Sequence, residues 1–379
     1  MRRTINVLVT MTSLLLMAAI SLHAAEPWEI VAKSPGDIEC AVMGPEGEIC
    51  VLGQLRFQRS YPGEKADIIE ELELNKRVFI SAGGGKYASI LYEGQGEGVS
   101  AARLTLYKLD GRELWSVSHQ PLNDVVSLES GGAVGIYRNI NVLVNDLYFF
   151  SGNGALLRRL SIPALGEVKA SPSGDRILVN SGRRGAILFE ANGEEMAELG
   201  PAYRMFFSDD GRWVAILYGP DLTIYREGKA TYTGQLGGEI IRGVRFSTDN
   251  SVIAAITDHA FFLLKNPGKN VILQRQLDPA GQFSYTSVDV TRGGELIALG
   301  IERDLGSQVK GPERHPDGKV ILCRIDGRIV YQKSVSYSRW NTTTPRVKFS
   351  ADGRQLLVLT RDEVIKATVA DLCAEGGVR

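Results

Sequence analysis

Eight charged residues stand out for what they could do together. Arg77, Lys169, Arg204, Arg245, Arg346 and Lys348 are cations, and Glu167 and Asp289 are acids. Turned toward one axis, they would carry four surplus positive charges and attract a carboxylate, a phosphate or an acidic peptide end. The same set also reads as charges paired with one another around water. Conventional catalytic groups are sparse. Beyond residue 25 the histidines are His119, His259 and His315, and there is no HExxH, GxSxG or phosphate loop. His259, in "TDHAFFLL", reads as a turn residue at the start of a strand rather than as a base. Asp209-Asp210 falls in a tight turn, where aspartate accepts turn amides. No cysteine spacing fits a metal, and no cofactor motif is present. The four cysteines, Cys40, Cys50, Cys323 and Cys373, form an even set. In an exported chain such a set predicts disulfides. Cys40 and Cys50 share strand parity across the first hairpin in a diagonal relation, one small register change from bonding range. Cys323–Cys373 would pin the tail to the last repeats.

What could position those charges is a repeat. "FFSDDGRWVAIL" at Phe206–Leu217 recurs as "KFSADGRQLLVL" at Lys348–Leu359, with six weaker copies between and before them. The turn position falls at Gly47, Gly84, Gly132, Gly174, Gly211, Asn250, Gly294 and Gly353, with gaps of 37, 48, 42, 37, 39, 44 and 59. Glycine and asparagine are the residues that best tolerate positive φ, which a three-residue hairpin with a bulge demands. Most units add a second glycine hairpin, as in "LYKLDGRELW" and "LTIYREGKATY". Four short antiparallel strands in about 44 residues are one propeller blade. The expected fold is therefore all-β, an eight-bladed β-propeller, with seven blades as the alternative. Outside the leader, only Lys65–Leu74 shows any helical periodicity. The last unit lacks a fourth strand, and a spare β-like segment, Trp28–Ser34, precedes the first. Pairing that segment into the last blade closes the ring and hides both sheet edges. The tail is the other source for the missing strand.

The turns "FSDDGRW" and "FSADGRQ" resemble the repeats of bacterial WD40-like propellers, especially those of TolB-type periplasmic proteins. "LDGRELW" is similar to repeats of quinoprotein-type propellers. The resemblance implies architecture. The Gly-His and Trp-Asp signatures of eukaryotic repeats are absent, and repeats begin near residue 38, leaving no room for the α/β domain that precedes the TolB propeller.

The chain begins with Arg2-Arg3, an apolar run from Val7 to Leu22, and Ala24-Ala25 before Glu26, the layout of a secretory signal peptide spanning residues 1–25. Its removal leaves 26–379 as a single propeller domain of 354 residues, with 41 Lys+Arg against 44 Asp+Glu. That balance argues against nucleic acid as a partner. No second apolar run is long enough to span a bilayer. The expected home is the periplasm or the exterior.

Counting back from each turn places Val42, Phe79, Ser127, Lys169, Phe206, Arg245, Asp289 and Lys348 on the innermost strands, facing the central channel. Arg77, Glu167, Arg204 and Arg346 lie two residues earlier. Long connections at Tyr92–Leu104, Glu302–Lys319 and Gln58–Ala66 all read as second-to-third-strand loops converging on one sector, with Arg59, Tyr61, Arg314 and His315 as contacts. Rigid scaffolds carry function on such loops. The preferred reading is a non-enzymatic scaffold that binds an envelope or extracellular protein. The rival is an extracytoplasmic enzyme or small-anion sensor using the basic channel.

Overall fold

The computed structural model describes residues 27–376 except 34–37, 45–46, 54–55, 62–66, 74, 94–100, 139–143, 269, 277–282, 304–314, 338–344 and 361–362. The leader lies outside the described residues.

Among the described residues, thirty-two strands form eight four-stranded antiparallel sheets, seven of them consecutive meanders. Blade 5 is representative. Its strands are Arg204–Phe207, Trp213–Tyr218, Asp221–Arg226 and Lys229–Gln235, from the axis outward. Blade 8 is built as expected from both regions of the chain. Arg346–Phe349, Gln355–Leu359 and Glu363–Thr368 are joined by Trp28–Lys33, which pairs Trp28 with Ala367 and Lys33 with Glu363. Val31 and Ala32 of this closing strand are buried.

Apolar alternation makes the ring. Eight hydrophobic clusters join successive sheets, one per interface, including blades 8 and 1 through Val31, Ile38, Leu357 and Val364. Between blades 5 and 6, Leu222, Ile224, Val244, Phe246 and Ile253 interlock with little or no exposure. Each such side chain contributes roughly 1.5–3 kcal/mol on leaving water. Both neighbours of a channel position are thereby buried, as with Val347 and Phe349 around Lys348.

The first-hairpin turns lock onto one another from blade to blade. Gly174 has φ +73°, and a Cβ there would lie 2.4 Å from the Glu129 backbone nitrogen of blade 3. At Gly211, φ is +68° and a Cβ would lie 2.9 Å from Ser171 of blade 4. Asn250 takes the same left-handed position with φ +57°. The Asn250 amide donates to Asp210 at 2.9 Å, and Asp249 accepts the Gly293 N–H at 3.2 Å, so neighbouring turns are tied directly. Inside the turn, Asp249 also accepts from the hydroxyls of Ser247 at 2.7 Å and Ser251 at 2.8 Å. Burial pushes its carboxyl up, but these donors outweigh burial and hold it at about 2.

Three local expectations need correction. In blade 3 the left-handed residue is Gly131, φ +96°, not Gly132, because the turn from Leu128 is one residue shorter. Inner-strand parity shifts with it, so Val126 faces the channel and Ser127 is buried, donating to the Phe79 carbonyl. Within the expected helical stretch, Asp67–Glu71 is instead a strand, the outer one of blade 1. The tail instead forms the one α-helix among the described residues, Val369–Gly376. It buries Val369 and Leu372 against blades 7 and 8.

Candidate functional site: the channel and its two mouths

An inner strand starts on one face of the ring and ends in its first turn on the other. The face holding first and third hairpin turns is the turn face; the face holding second-to-third connections and blade-to-blade crossings is the loop face. This topology separates the predicted cations into two tiers.

On the turn face a cavity of about 420 Å³ is lined by Lys169, Arg245, Asp289 and Lys348, with Asp209 at its rim. On the loop face a wider mouth of about 810 Å³ collects Glu167, Lys169, Arg204 and Arg346 with Arg242, Asp258, His259 and Glu302. Lys169 and Phe206 line both, so the two mouths belong to one channel. Arg77 lies on the wall beside Phe79 and Val126, where Lys169 also contributes.

Most of these cations have internal partners. Arg77 donates to the Asn123 carbonyl and lies 5.1 Å over the Phe79 ring. Lys169 pairs with Glu167 at 2.9 Å, donates to the Met205 carbonyl at 2.9 Å and lies 4.9 Å over Phe206. Arg204 donates to the Arg242 carbonyl, and Arg242 grips Asp258 with two 2.8 Å bonds. Arg245 stands 3.7 Å from Asp289. Asp289 accepts the Phe349 N–H at 2.7 Å; burial pushes its carboxyl up, while Arg245 and that amide pull it down. The Lys348 ammonium forms neither a hydrogen bond nor an ion pair among the described residues. Burial and then Arg245 hold its amine below the ordinary lysine value, and Asp289 and Asp209 pull the other way.

The remaining candidates scatter. His259 sits in the second-to-third turn of blade 6 with Nδ1 3.3 Å from the Phe283 carbonyl, on the loop-face mouth. His119 packs edge-on against Tyr148 with centroids 4.3 Å apart. Asp210 accepts the Ser208 hydroxyl at 2.6 Å and the Arg212 N–H at 3.0 Å, the turn role expected of it. No group of three or more His, Cys, Asp or Glu suited to a metal ion occurs among the described residues.

The three long connections do not share a face. Tyr92–Leu104 and Glu302–Lys319 join second to third strands and belong to the loop face. Gln58–Ala66 joins the third strand of blade 1 to the fourth and belongs to the turn face. There Arg59 donates to the Leu109 carbonyl of blade 2 at 2.8 Å and lies 4.8 Å over Tyr61. The pair ties blades 1 and 2 together rather than joining the other two loops. Arg314 lies outside the described residues. His315 opens the third strand of blade 7 on the loop face, its backbone paired with Tyr337.

All four cysteines are free thiols. Cys40 and Cys50 keep the expected diagonal relation between blades 1 and 2, opposite Leu52 and Val42 respectively, and remain unbonded. Cys323 packs between blades 6 and 7, whereas Cys373 packs between blades 7 and 8. The seventh sheet separates them, which removes the expected pairing. Burial pushes the thiols of Cys40 and Cys323 up to about 11 and that of Cys50 up to about 12, keeping them protonated and unreactive.

One feature escaped the sequence reading. Tyr203 and Tyr218 stack on the loop face with centroids 4.7 Å apart and planes at 20°, although 67% and 45% exposed. They wall an open groove with Arg183, Arg184 and Asn180 between the loops of blades 4 and 5. The signal was an aromatic at each strand end, "PAYRM" and "ILYGP", but only the ring brings the two together.

No family model matches the sequence, and no curated protein matches it. The likeness to TolB-type repeats therefore remains one of turn motifs. Solved structures do match. The C-terminal WD40 domain of Sif2 is 13% identical, with a TM-score of 0.58 over 89% of this chain and 97% of that one. The Dos1 propeller is 11% identical, with a TM-score of 0.59 over 90% of this chain and 94% of that one. These likenesses establish the WD40-type propeller fold.

Proposed function

We propose that this protein is an exported, non-enzymatic scaffold that binds a protein partner on its loop face. The observation that carries the reading is the Tyr203–Tyr218 stack. Two large stacked rings that stay well exposed gain further apolar burial only when something covers them. Tyrosine and arginine are the residue types that dominate interface energetics, and the adjoining groove supplies Arg183 and Arg184. No helix among the described residues is long and apolar enough to cross a membrane, and the leader-like residues 1–25 support export to the periplasm or beyond.

The test is a photo-crosslinking amino acid placed at position 203 or 218 in the native host, with position 112 on the turn face as control. A discrete protein adduct at 203 and 218, absent at 112, is expected. Equal labelling at all three, or none, overturns the reading. N-terminal sequencing of the exported form is expected to begin at Glu26.

A further inference from the structure

The turn-face mouth holds a cation, Lys348, whose ammonium makes no close ion pair among the described residues, its acids Asp289 and Asp209 acting only from longer range. Val347 and Phe349 are buried between blades, so alternation sends the Lys348 side chain to the axis, into the cavity of about 420 Å³. Its nearest acid, Asp289, is already engaged by the Phe349 amide at 2.7 Å and by Arg245 at 3.7 Å. The other acid on this wall, Asp209, is exposed at the rim. Lys169 is occupied by Glu167 and the Met205 carbonyl. With Asp289 taken up by Arg245 and Asp209 out at the rim, the Lys348 ammonium keeps donors that a ligand in the cavity can engage. An ammonium taken from water without a partner is unfavourable, and an entering anion relieves that state.

The walls narrow the ligand class. Phe206, Pro172, Ala82 and Ala351, none of them buried, bring apolar surface to the same cavity. A strongly hydrated dianion gains nothing from such walls, whereas an acid with an apolar body buries it there. Lys348 offers three rotatable donors, and the Arg245 guanidinium has donors beyond the one facing Asp289. We propose that the turn-face mouth of the channel is a binding site for a small organic monocarboxylate, its carboxylate between Lys348 and Arg245 and its apolar body against Phe206 and Pro172. The site lies on the opposite face from the tyrosine pair and stands or falls independently of partner binding.

Calorimetric titration of the purified protein with phenylacetate tests it, with phenylacetamide and inorganic phosphate as comparison probes. One-to-one binding of phenylacetate is expected, with phenylacetamide and phosphate each at least about tenfold weaker. Lys348→Met and Arg245→Met should each weaken phenylacetate at least about tenfold, Lys348→Arg should retain it, and Arg226→Met on the outer wall should leave it unchanged. Lys348→Met is also expected to melt no earlier than the wild type, because an unpartnered charge is replaced by an apolar chain of similar length. Phosphate binding as tightly as phenylacetate, unaltered binding in Lys348→Met and Arg245→Met, or no phenylacetate binding at millimolar concentration overturns the proposal.

Discussion

The turn face and the loop face are made by the same strands under different constraints. On the turn face, several first-hairpin turns rest on the turn of the blade before. Gly174 approaches the backbone of Glu129, Gly211 approaches Ser171, and Asp249 accepts an amide from the next blade. On the loop face, Tyr218 and Gly219 turn into open space, where nothing lies within 4 Å of a Cβ added at Gly219. Length and side chains can vary there without disturbing a neighbour. The rigid face therefore holds the ring, and the other is free to carry recognition.

The sharpest way to break this contrast is to add bulk on the turn face. Gly174→Val combines a positive φ with a 2.4 Å approach to backbone. It is expected to cost about 3 kcal/mol or more, read from the urea midpoint. Asp249→Asn comes next. The folded carboxyl at about 2 lies below its unfolded value, so its stabilisation is present above the unfolded pKa and is lost as pH falls toward 2. Solvent screens a carboxylate this exposed, so the substitution should cost about 1.5 kcal/mol at neutral pH. The gap from wild type should begin to narrow below about pH 4 and vanish near pH 2 in pH-dependent urea melts. Gly219→Ala, with φ +61° but open space, should cost only about 1 kcal/mol. Tyr203→Ala should change stability by less than about 0.5 kcal/mol while abolishing the crosslink at position 218. A large destabilisation at Tyr203 would instead make the ring pair part of the structural frame.

Much of the architecture was readable because glycine at a positive φ is a backbone requirement that survives sequence drift. Asn250 fits the same demand. Where two glycines adjoin, at Gly131-Gly132, the pattern cannot choose between them, and the inner strand slips by one. Gln58–Ala66 was assigned to the loop face because only two residues separate the second and third strands of blade 1, so the pair reads as one strand. The eight-residue tail helix is too short to show a period. Strand parity placed Arg245, Asp289 and Lys348 in the channel. Their pairing was illegible, because acceptors such as the Arg242 carbonyl opposite Arg204 lie a blade away. Cys323 and Cys373 likewise match by count alone, with a whole sheet between them.

The outermost strand of blade 8 has a temporal consequence. Trp28 leaves the ribosome long before Ala367, its partner, exists. Until then the nascent molecule is an arc with exposed ends, and Val31 and Ala32 lack the blade 8 half of their cluster, Leu357, Leu359 and Val364. Any factor that shields that early segment therefore governs whether synthesis yields closed rings or chains that mate with one another.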